Sequence, residues 1–215
     1  MNITHAVEEK IEGDRLQAIF NRQRELMEKY HHIESKSGLC QTEDCPVNLD
    51  DKRGQARIKD FSWRIIEEVG EAIDGRSDLN HYHEELIDGL HFLTELTILA
   101  GKDYDTLKED YTLEVPGGDH IDLLLANSHD KGSVSIQEAV FYLVENLGMM
   151  CNCLKNKPWK QTQMKTDKPA FYSWLSKVWV EYFTILKVSG MDGDSIANTY
   201  LKKSQVNKFR QRSNY

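Results

Sequence analysis

The chain has few of the features that suit a protein to a membrane or to a nucleic acid. No run of about 18 apolar residues occurs, so we expect no membrane-spanning helix. Basic residues are outnumbered: 27 Lys and Arg stand against 35 Asp and Glu, a formal net charge of -8 over 215 residues. Proteins that bind nucleic acids carry basic patches that neutralise phosphates, so this balance argues against a nucleic-acid partner. A small anionic substrate is compatible with it, provided that a metal and a few local cations receive that substrate.

Cysteine and proline are scarce, with four residues of each. Residues 1–15 are polar and acidic, unlike a secretion signal, so we expect a cytoplasmic protein whose cysteines stay reduced. The alternative is a four-cysteine zinc site built from Cys40, Cys45, Cys151 and Cys153. The C-x4-C and C-x-C spacings fit poorly with the usual C-x2-C knuckles, which argues against that alternative.

Strand-like alternation of apolar and polar residues is also missing, whereas apolar residues recur at helical spacing along much of the chain. We therefore predict an all-α fold, a helical bundle of two packed helical halves. The predicted helical segments are residues 14–34, 61–75, 86–101, 136–154, 171–188 and a last helix from about 195. Residues 35–58, 112–134 and 155–169 are predicted to be connections.

We expect these helices to form one domain over residues 1–215. Its first half, at about 14–101, carries the acidic motifs, a connector spans about 102–135, and a second half with the tail spans about 136–215. The repetition of a helix pair on each side of the connector suggests an internal duplication, in which only the first half kept the acids.

Two acidic clusters, at residues 67–71 and 84–88, fall on consecutive predicted helices. Residues three or four apart share one face of a helix, so each cluster can act as a two-pronged ligand. The carboxylates paired in this way are Glu68 with Glu71 and Glu85 with Asp88. Four carboxylates that face each other repel unless a cation lies between them, and all-oxygen ligands suit Mg²⁺ or Mn²⁺ better than zinc. The clusters predict a site for two such ions and for phosphate chemistry.

The second acidic helix carries a polar stripe, because Glu84, Asp88, His91 and Glu95 recur at steps of four, three and four. A charged stripe is costly to bury without compensation. Taken alone, it would fit the solvated face of an amphipathic helix. The presence of two acidic clusters on successive helices favours the metal site instead.

The C-terminal segment concentrates positive charge in an otherwise acidic chain. Lys203, Asn207 and Arg210 lie at i, i+4 and i+7, on one helical face, and could hold phosphate oxygens opposite the metals. The alternative is an ordinary helix end, at which cations complement the helix dipole.

Four motifs can now be compared with known families. They are Ser62-Trp63-Arg64, Glu68-x-x-Glu71, Glu85-x-x-Asp88-Gly89-Leu90-His91-Phe92 and Tyr200-x-x-Lys203-x-x-x-Asn207-x-Phe209-Arg210-Gln211-x-x-x-Tyr215. Together they resemble the dimeric dUTPases, which belong to the all-α NTP pyrophosphatases with the phage dCTP/dUTP pyrophosphatases and MazG-type enzymes. The acidic pairs indicate only this broad group, whereas the His-Phe pair and the tail motif indicate the dimeric dUTPases.

The resemblance implies a homodimer that hydrolyses a deoxynucleoside triphosphate to the monophosphate and pyrophosphate. The expected substrate is dUTP, with dUDP or dCTP as alternatives, and the expected cofactor is Mg²⁺, two or more ions per site, or Mn²⁺. By position, the magnesium ligands would be Glu68, Glu71, Glu85 and Asp88. His91 and Phe92 would line the base pocket, with Phe92 stacked on the pyrimidine. The groups that hold sugar and phosphates would be Lys203, Asn207, Arg210 and Tyr215.

Two further residues have expected roles. Glu68 is the expected catalytic residue, since a carboxylate beside the metals can orient the attacking water or take its proton. Trp63 would support the pocket wall, or else be an ordinary core aromatic.

Three departures from the family pattern bear on the base. The loop between the acidic clusters is short and lacks the usual tryptophan-rich segment, the tail ends Ser213-Asn214-Tyr215 without a Gly before Tyr215, and the first helix lacks an expected Asn. Dimeric dUTPases present a Gln and an Asn from the first helix to the base edge; here Gln23 is present, but Leu26 or Met27 stands where the Asn is expected. Losing such a group could broaden the pocket toward dCTP. A MazG-like or dCTP-type pyrophosphatase therefore stays open, as does a non-catalytic helical regulatory or partner-binding protein.

Overall fold

The computed structural model describes residues 3–108, 115–130 and 132–213. Its α helices are α1 Arg15–Ser37, α2 Lys52–Gly75, α3 Leu79–Leu99, α4 Tyr104–Lys108, α5 His120–Asn127, α6 Ile136–Cys153, α7 Lys168–Val188 and α8 Gly193–Arg212, and a 3-10 turn spans Ile3–His5. The all-α prediction is confirmed, since the described residues form helices and no β-strand. None of the described helices has both the length and the apolar composition that crossing a membrane requires.

The helices begin where an acidic side chain can cap them. Asp14, Asp51 and Asp78 precede α1, α2 and α3, and each side chain accepts hydrogen bonds from backbone N–H groups of the first turn. The cap at Asp51 corrects the predicted loop over 35–58, because α2 already begins at Lys52. These first two turns of α2, at about 3.6 residues each, are mostly polar in sequence, yet their inward face is buried, with Ile58 fully enclosed.

The predicted connector also contains two helices that were not predicted from the sequence, α4 and α5. Asp119 and Asp122 form a capping box at the start of α5. The Arg15 guanidinium binds both carboxylates, with Nε 2.7 Å from Asp119 and Nη2 2.7 Å from Asp122. The beginning of α1 and the beginning of α5 are therefore held together by one arginine.

Two antiparallel helix pairs, α2 with α3 and α6 with α7, form the body of the fold, and α1 and α8 pack together beside α3. The buried apolar side chains make one continuous cluster that includes residues from both pairs. Trp179 of α7, for example, donates a hydrogen bond to Thr97 of α3 (3.0 Å) and stacks on Phe20 of α1 at 6.0 Å. The extent of the domain and the internal duplication stay predictions.

A glycine allows the close helix packing beside the acidic residues. A Cβ at Gly89 would overlap the Tyr182 hydroxyl oxygen and would lie 3.3 Å from the Cβ of Glu68. The Tyr182 hydroxyl uses this space to donate a 2.6 Å hydrogen bond to the Leu86 carbonyl. Gly89 thus lets α7 and α2 approach the segment of α3 that carries the second acidic cluster.

Candidate active site

Three carboxylates from the two acidic clusters converge at the α2–α3 contact. Oxygen atoms of Glu68, Glu85 and Asp88 all lie within 4.8 Å of one another. Within the part of the chain that the structure describes, no other group of His, Cys, Asp or Glu side chains is arranged in this way. The four cysteines are free and do not assemble, so the zinc alternative is not supported. Glu71 is exposed on α2 and does not belong to the converging group.

The negative charge of this group is poorly compensated by the chain itself. Burial, together with the neighbouring carboxylates of Asp88 and Glu85, raises the pKa of Glu68 to about 8. Burial also raises the pKa of Asp88 to about 6, although the nearby Lys203 ammonium acts in the opposite direction. A partly buried, all-oxygen group with excess negative charge has the composition that hard divalent cations such as Mg²⁺ prefer. The residues present therefore fit the expected metal.

Lys203 of α8 reaches the same group. Its Nζ lies 2.6 Å from Oδ2 of Asp88 and 3.7 Å from Oε2 of Glu84. Burial alone would lower the pKa of Lys203, but the neighbouring Asp88 carboxylate raises it. The polar stripe of α3 is thus covered by α8 and α1, and Glu95, its last member, is only 5% exposed. The alternative of a solvated amphipathic face is wrong.

A cavity of about 350 Å³ opens beside the carboxylates, between α1, α2, α3 and α8. Seven of the residues expected from the sequence line it: Gln23, Glu68, Asp88, His91, Phe92, Asn207 and Arg210. Trp63 does not: it is 59% exposed and its Nε1 donates to Glu67 (2.8 Å), so it is neither pocket wall nor core. Tyr215 lies outside the described residues.

A buried polar network lies beside the cavity, about one turn further along α3 than Asp88. The Oε1 atom of Gln23 lies 2.8 Å from Nδ1 of His91 and accepts a 2.7 Å hydrogen bond from the Tyr200 hydroxyl. The Nε2 atom of Gln23 donates to Glu95 (2.8 Å). Burial lowers the pKa of His91 to about 3, so its imidazole is neutral near pH 7. Phe92, one residue along, packs edge-on against Phe61 at 6.0 Å.

A comparison with protein families agrees with this geometry. A family model described as dUTPase matches residues 72–215, more than half of the chain. The chain belongs to the dUTPase family. No curated protein and no solved structure gave a significant match.

The dUTPase match covers only part of the site. It includes α3 and α8, which supply Asp88, His91 and Lys203. The residues that α1 and most of α2 contribute, Gln23 and Glu68 among them, precede the matched range. Only the three-dimensional structure places these earlier residues beside the residues of the matched range, 72–215.

Three cavity residues of this dUTPase-family chain were given no role from the sequence: Tyr30, Glu34 and Arg64, the last of which belongs to the Ser62-Trp63-Arg64 motif. Glu34 binds Arg64 and Arg57, each at 2.8 Å, and the Arg64 guanidinium lies 5.6 Å from the centre of the Phe92 ring. A signal for two of them was available. Tyr30 and Glu34 follow Gln23 by seven and eleven residues, a spacing that keeps all three on one face of α1.

Proposed function

We propose that this chain is a Mg²⁺-dependent hydrolase that converts dUTP to dUMP and pyrophosphate. The observation that carries the proposal is the joining of two features on α3. Glu68 and Asp88 of the carboxylate group line the cavity, and His91 and Phe92 line it about one turn further along α3. The first feature suits a metal and phosphates, and the second suits a flat base.

The residues can be assigned roles in this reaction. Glu68, Glu85 and Asp88 would hold Mg²⁺, or Mn²⁺ in its place, and Glu71 would join them as a fourth ligand. Bound divalent cations would neutralise the triphosphate and favour deprotonation of a water nucleophile at neutral pH. Glu68 would orient that water and take its proton.

Water would attack the α-phosphorus, forming a new P–O bond, while the bond to the bridging oxygen breaks and pyrophosphate leaves. Lys203, Asn207 and Arg210, together with Tyr215, would bind the sugar and the phosphate oxygens and stabilise the charge that develops on pyrophosphate. Neither a Ser nor a Cys nucleophile is needed in this scheme.

The chain is further proposed to work as a homodimer. Phe141, Val144 and Met149 point from one face of α6 and are 66%, 44% and 38% exposed. Large apolar side chains that cluster on one helix face usually mark a contact surface. A second copy of the chain, packed on this face, would bury them.

A panel of deoxynucleoside triphosphates with Mg²⁺ tests the function. We expect pyrophosphate release to be fastest with dUTP, and Glu68→Gln to abolish it while circular dichroism shows the helical fold retained. The panel includes dUDP and dCTP, because Leu26 lines the cavity at the place where an Asn was expected. No turnover of any nucleotide would exclude an enzyme and leave a helical binding protein.

A further inference from the structure

The carboxylate of Glu85 has a hydrogen-bond donor beside it, as that of Asp88 has Lys203. Nδ1 of His81, one turn earlier on α3, lies 3.1 Å from Oε1 of Glu85. An ionised carboxylate only accepts hydrogen bonds, so Nδ1 of His81 carries the hydrogen and donates it. This contact uses one of the two Glu85 oxygens, and a cation can be bound through the other.

The turn between α2 and α3 keeps a place for the His81 ring. A Cβ at Gly75, the last residue of α2, would lie 2.5 Å from Cδ2 and 3.0 Å from Nε2 of His81. Asp78, the N-cap of α3, accepts hydrogen bonds from the backbone N–H groups of Asn80 and His81. Gly75 and Asp78 thus fix the ring and the backbone of His81. The contact with Glu85 therefore depends on the turn as well as on the four-residue spacing along α3.

The alternative is an ordinary pair of side chains on a helix surface, which would stabilise α3 slightly and leave the carboxylate group unaffected. His83, two residues further along α3, is a useful comparison. Its Nε2 lies 3.1 Å from the backbone oxygen of Ser189 at the end of α7. His83 therefore holds α3 against α7, whereas His81 holds one member of the carboxylate group.

We propose that His81 is a positioning residue for the metal, which holds Glu85 through Oε1 so that Oε2 faces the cation. The inference rests on the metal-binding part of the proposed function and adds the residue that orients one ligand. Carboxylates that bind a metal are themselves held by hydrogen bonds, and losing such a partner lowers the metal affinity by roughly 10- to 100-fold. The His81 side chain is 52% exposed, so we expect the lower end of this range.

Binding of Mn²⁺ to the full chain, without nucleotide, tests this role. The electron paramagnetic resonance signal of free Mn²⁺ gives the dissociation constant and needs no turnover. We expect His81→Ala to raise that constant roughly 10-fold. His81→Asn should stay within about threefold of the wild type, because the Asn amide nitrogen can replace Nδ1 as the donor. His83→Ala is the matched control and should stay within about twofold, since His83 does not hold Glu85.

The variant Gly75→Ala removes the same contact from the other side. The new methyl group would overlap the His81 ring, which lies at the end of a half-exposed side chain and can move away without a shift of the helices. We expect the same rise of roughly 10-fold, and no further rise in Gly75→Ala/His81→Ala, because both changes remove one contact. Circular dichroism verifies that each variant keeps the helical fold.

Unchanged Mn²⁺ affinity in His81→Ala would overturn the role of His81, and so would an equal loss in His83→Ala. Binding by His81→Asn as weak as that by His81→Ala would also overturn it, because the donor would then not be the cause. These results leave the proposed function standing, since the wild type still binds the metal. A wild-type chain that binds no Mn²⁺ would refute both. Mn²⁺ affinity that depends on His81, without turnover of any nucleotide, would support the role of His81 and refute the proposed hydrolysis.

Discussion

The ammonium group of Lys203 on α8 lies 2.6 Å from the carboxylate of Asp88 on α3. Both side chains are largely enclosed, at 7% and 21% exposure. The tail helix therefore supplies a cation to a carboxylate group that α2 and α3 build, and the pair also anchors α8 on the body of the fold. In this position Lys203 can pair with Asp88 when no metal is bound, and its ammonium group can bind a substrate phosphate when a metal is bound.

Replacing Lys203 by Met should destabilise the chain most when Mg²⁺ is absent. Removing one partner of an enclosed ion pair leaves the other charge unpaired, a loss of about 3 kcal/mol. With saturating Mg²⁺ the loss should be much smaller, because the cation would compensate Asp88 instead. Urea unfolding of the wild type and of Lys203→Met, each with EDTA and with Mg²⁺, measures this difference.

Lys202→Met is the matched control, since it removes the neighbouring lysine, which forms no ion pair with the carboxylate group in the structure. It should change the free energy of unfolding by no more than about 0.5 kcal/mol. Equal losses for Lys203→Met with and without Mg²⁺ would contradict a metal at Asp88.

The raised pKa of Glu68 predicts a pH dependence of stability. Between the usual value of 4.5 and about 8, the folded chain holds a proton on Glu68 that the unfolded chain has released. This contribution to stability is complete below pH 4.5 and is lost as the pH rises to about 8. The melting temperature in EDTA should therefore fall over this range relative to that of Glu68→Gln, which has no group to titrate there.

With Mg²⁺ the melting temperature of the wild type should instead rise with pH relative to that of Glu68→Gln, because a bound cation stabilises the ionised carboxylate. Melting curves of both proteins over the same pH series, with EDTA and with Mg²⁺, provide the measurement. Parallel curves for the wild type and Glu68→Gln in EDTA would show that Glu68 titrates normally.

The helices and the acidic half of the site were accessible from the sequence because both depend on local spacing. Asp88 and His91 are one turn apart on α3, and a period of 3.6 residues places them on one face whatever the rest of the chain does. The predictions failed where the outcome depends on distant partners. The α2 start is polar and is buried only by other elements, and Trp63 looks like a core residue until the packing turns it outward.

Long-range contacts also explain the unexpected part of the cavity. Glu34 and Arg64 are 30 residues apart, and they meet only because α1 and α2 both pack on α3. The network of Gln23, His91 and Tyr200 spans 177 residues and three helices, so no local pattern could have revealed that the Gln23 oxygen is already occupied.

Gly89 should tolerate no side chain while Tyr182 keeps its hydroxyl. In Gly89→Ala the new methyl group would overlap that oxygen, and the resulting shift of α3 against α7 should destabilise the chain by about 1–3 kcal/mol. Gly70 lies in the interior of α2, and nothing lies within 4 Å of the position that a methyl group would take there. Gly70→Ala should therefore stabilise the chain by about 0.5–1 kcal/mol.

The double variant Gly89→Ala/Tyr182→Phe isolates the cause. Removing the hydroxyl opens the space, so the two changes together should destabilise less than the sum of the single changes. Urea unfolding of the four proteins gives the coupling energy. If the losses in free energy of unfolding are strictly additive, overlap with the Tyr182 hydroxyl is not the reason that position 89 requires glycine.

The exposed face of α6 should control the oligomeric state. Phe141→Glu would place a charge at the centre of the proposed dimer contact and should weaken the dimer by at least about 2 kcal/mol, roughly 30-fold in the dissociation constant. Leu79→Glu is the control, because Leu79 is an equally exposed apolar side chain (60%) at the start of α3 rather than on α6. Sedimentation equilibrium over a concentration series measures both variants, and circular dichroism verifies that they keep the helical fold. A wild-type chain that stays monomeric, or a dimer that Phe141→Glu leaves unchanged, would show that α6 does not form the contact.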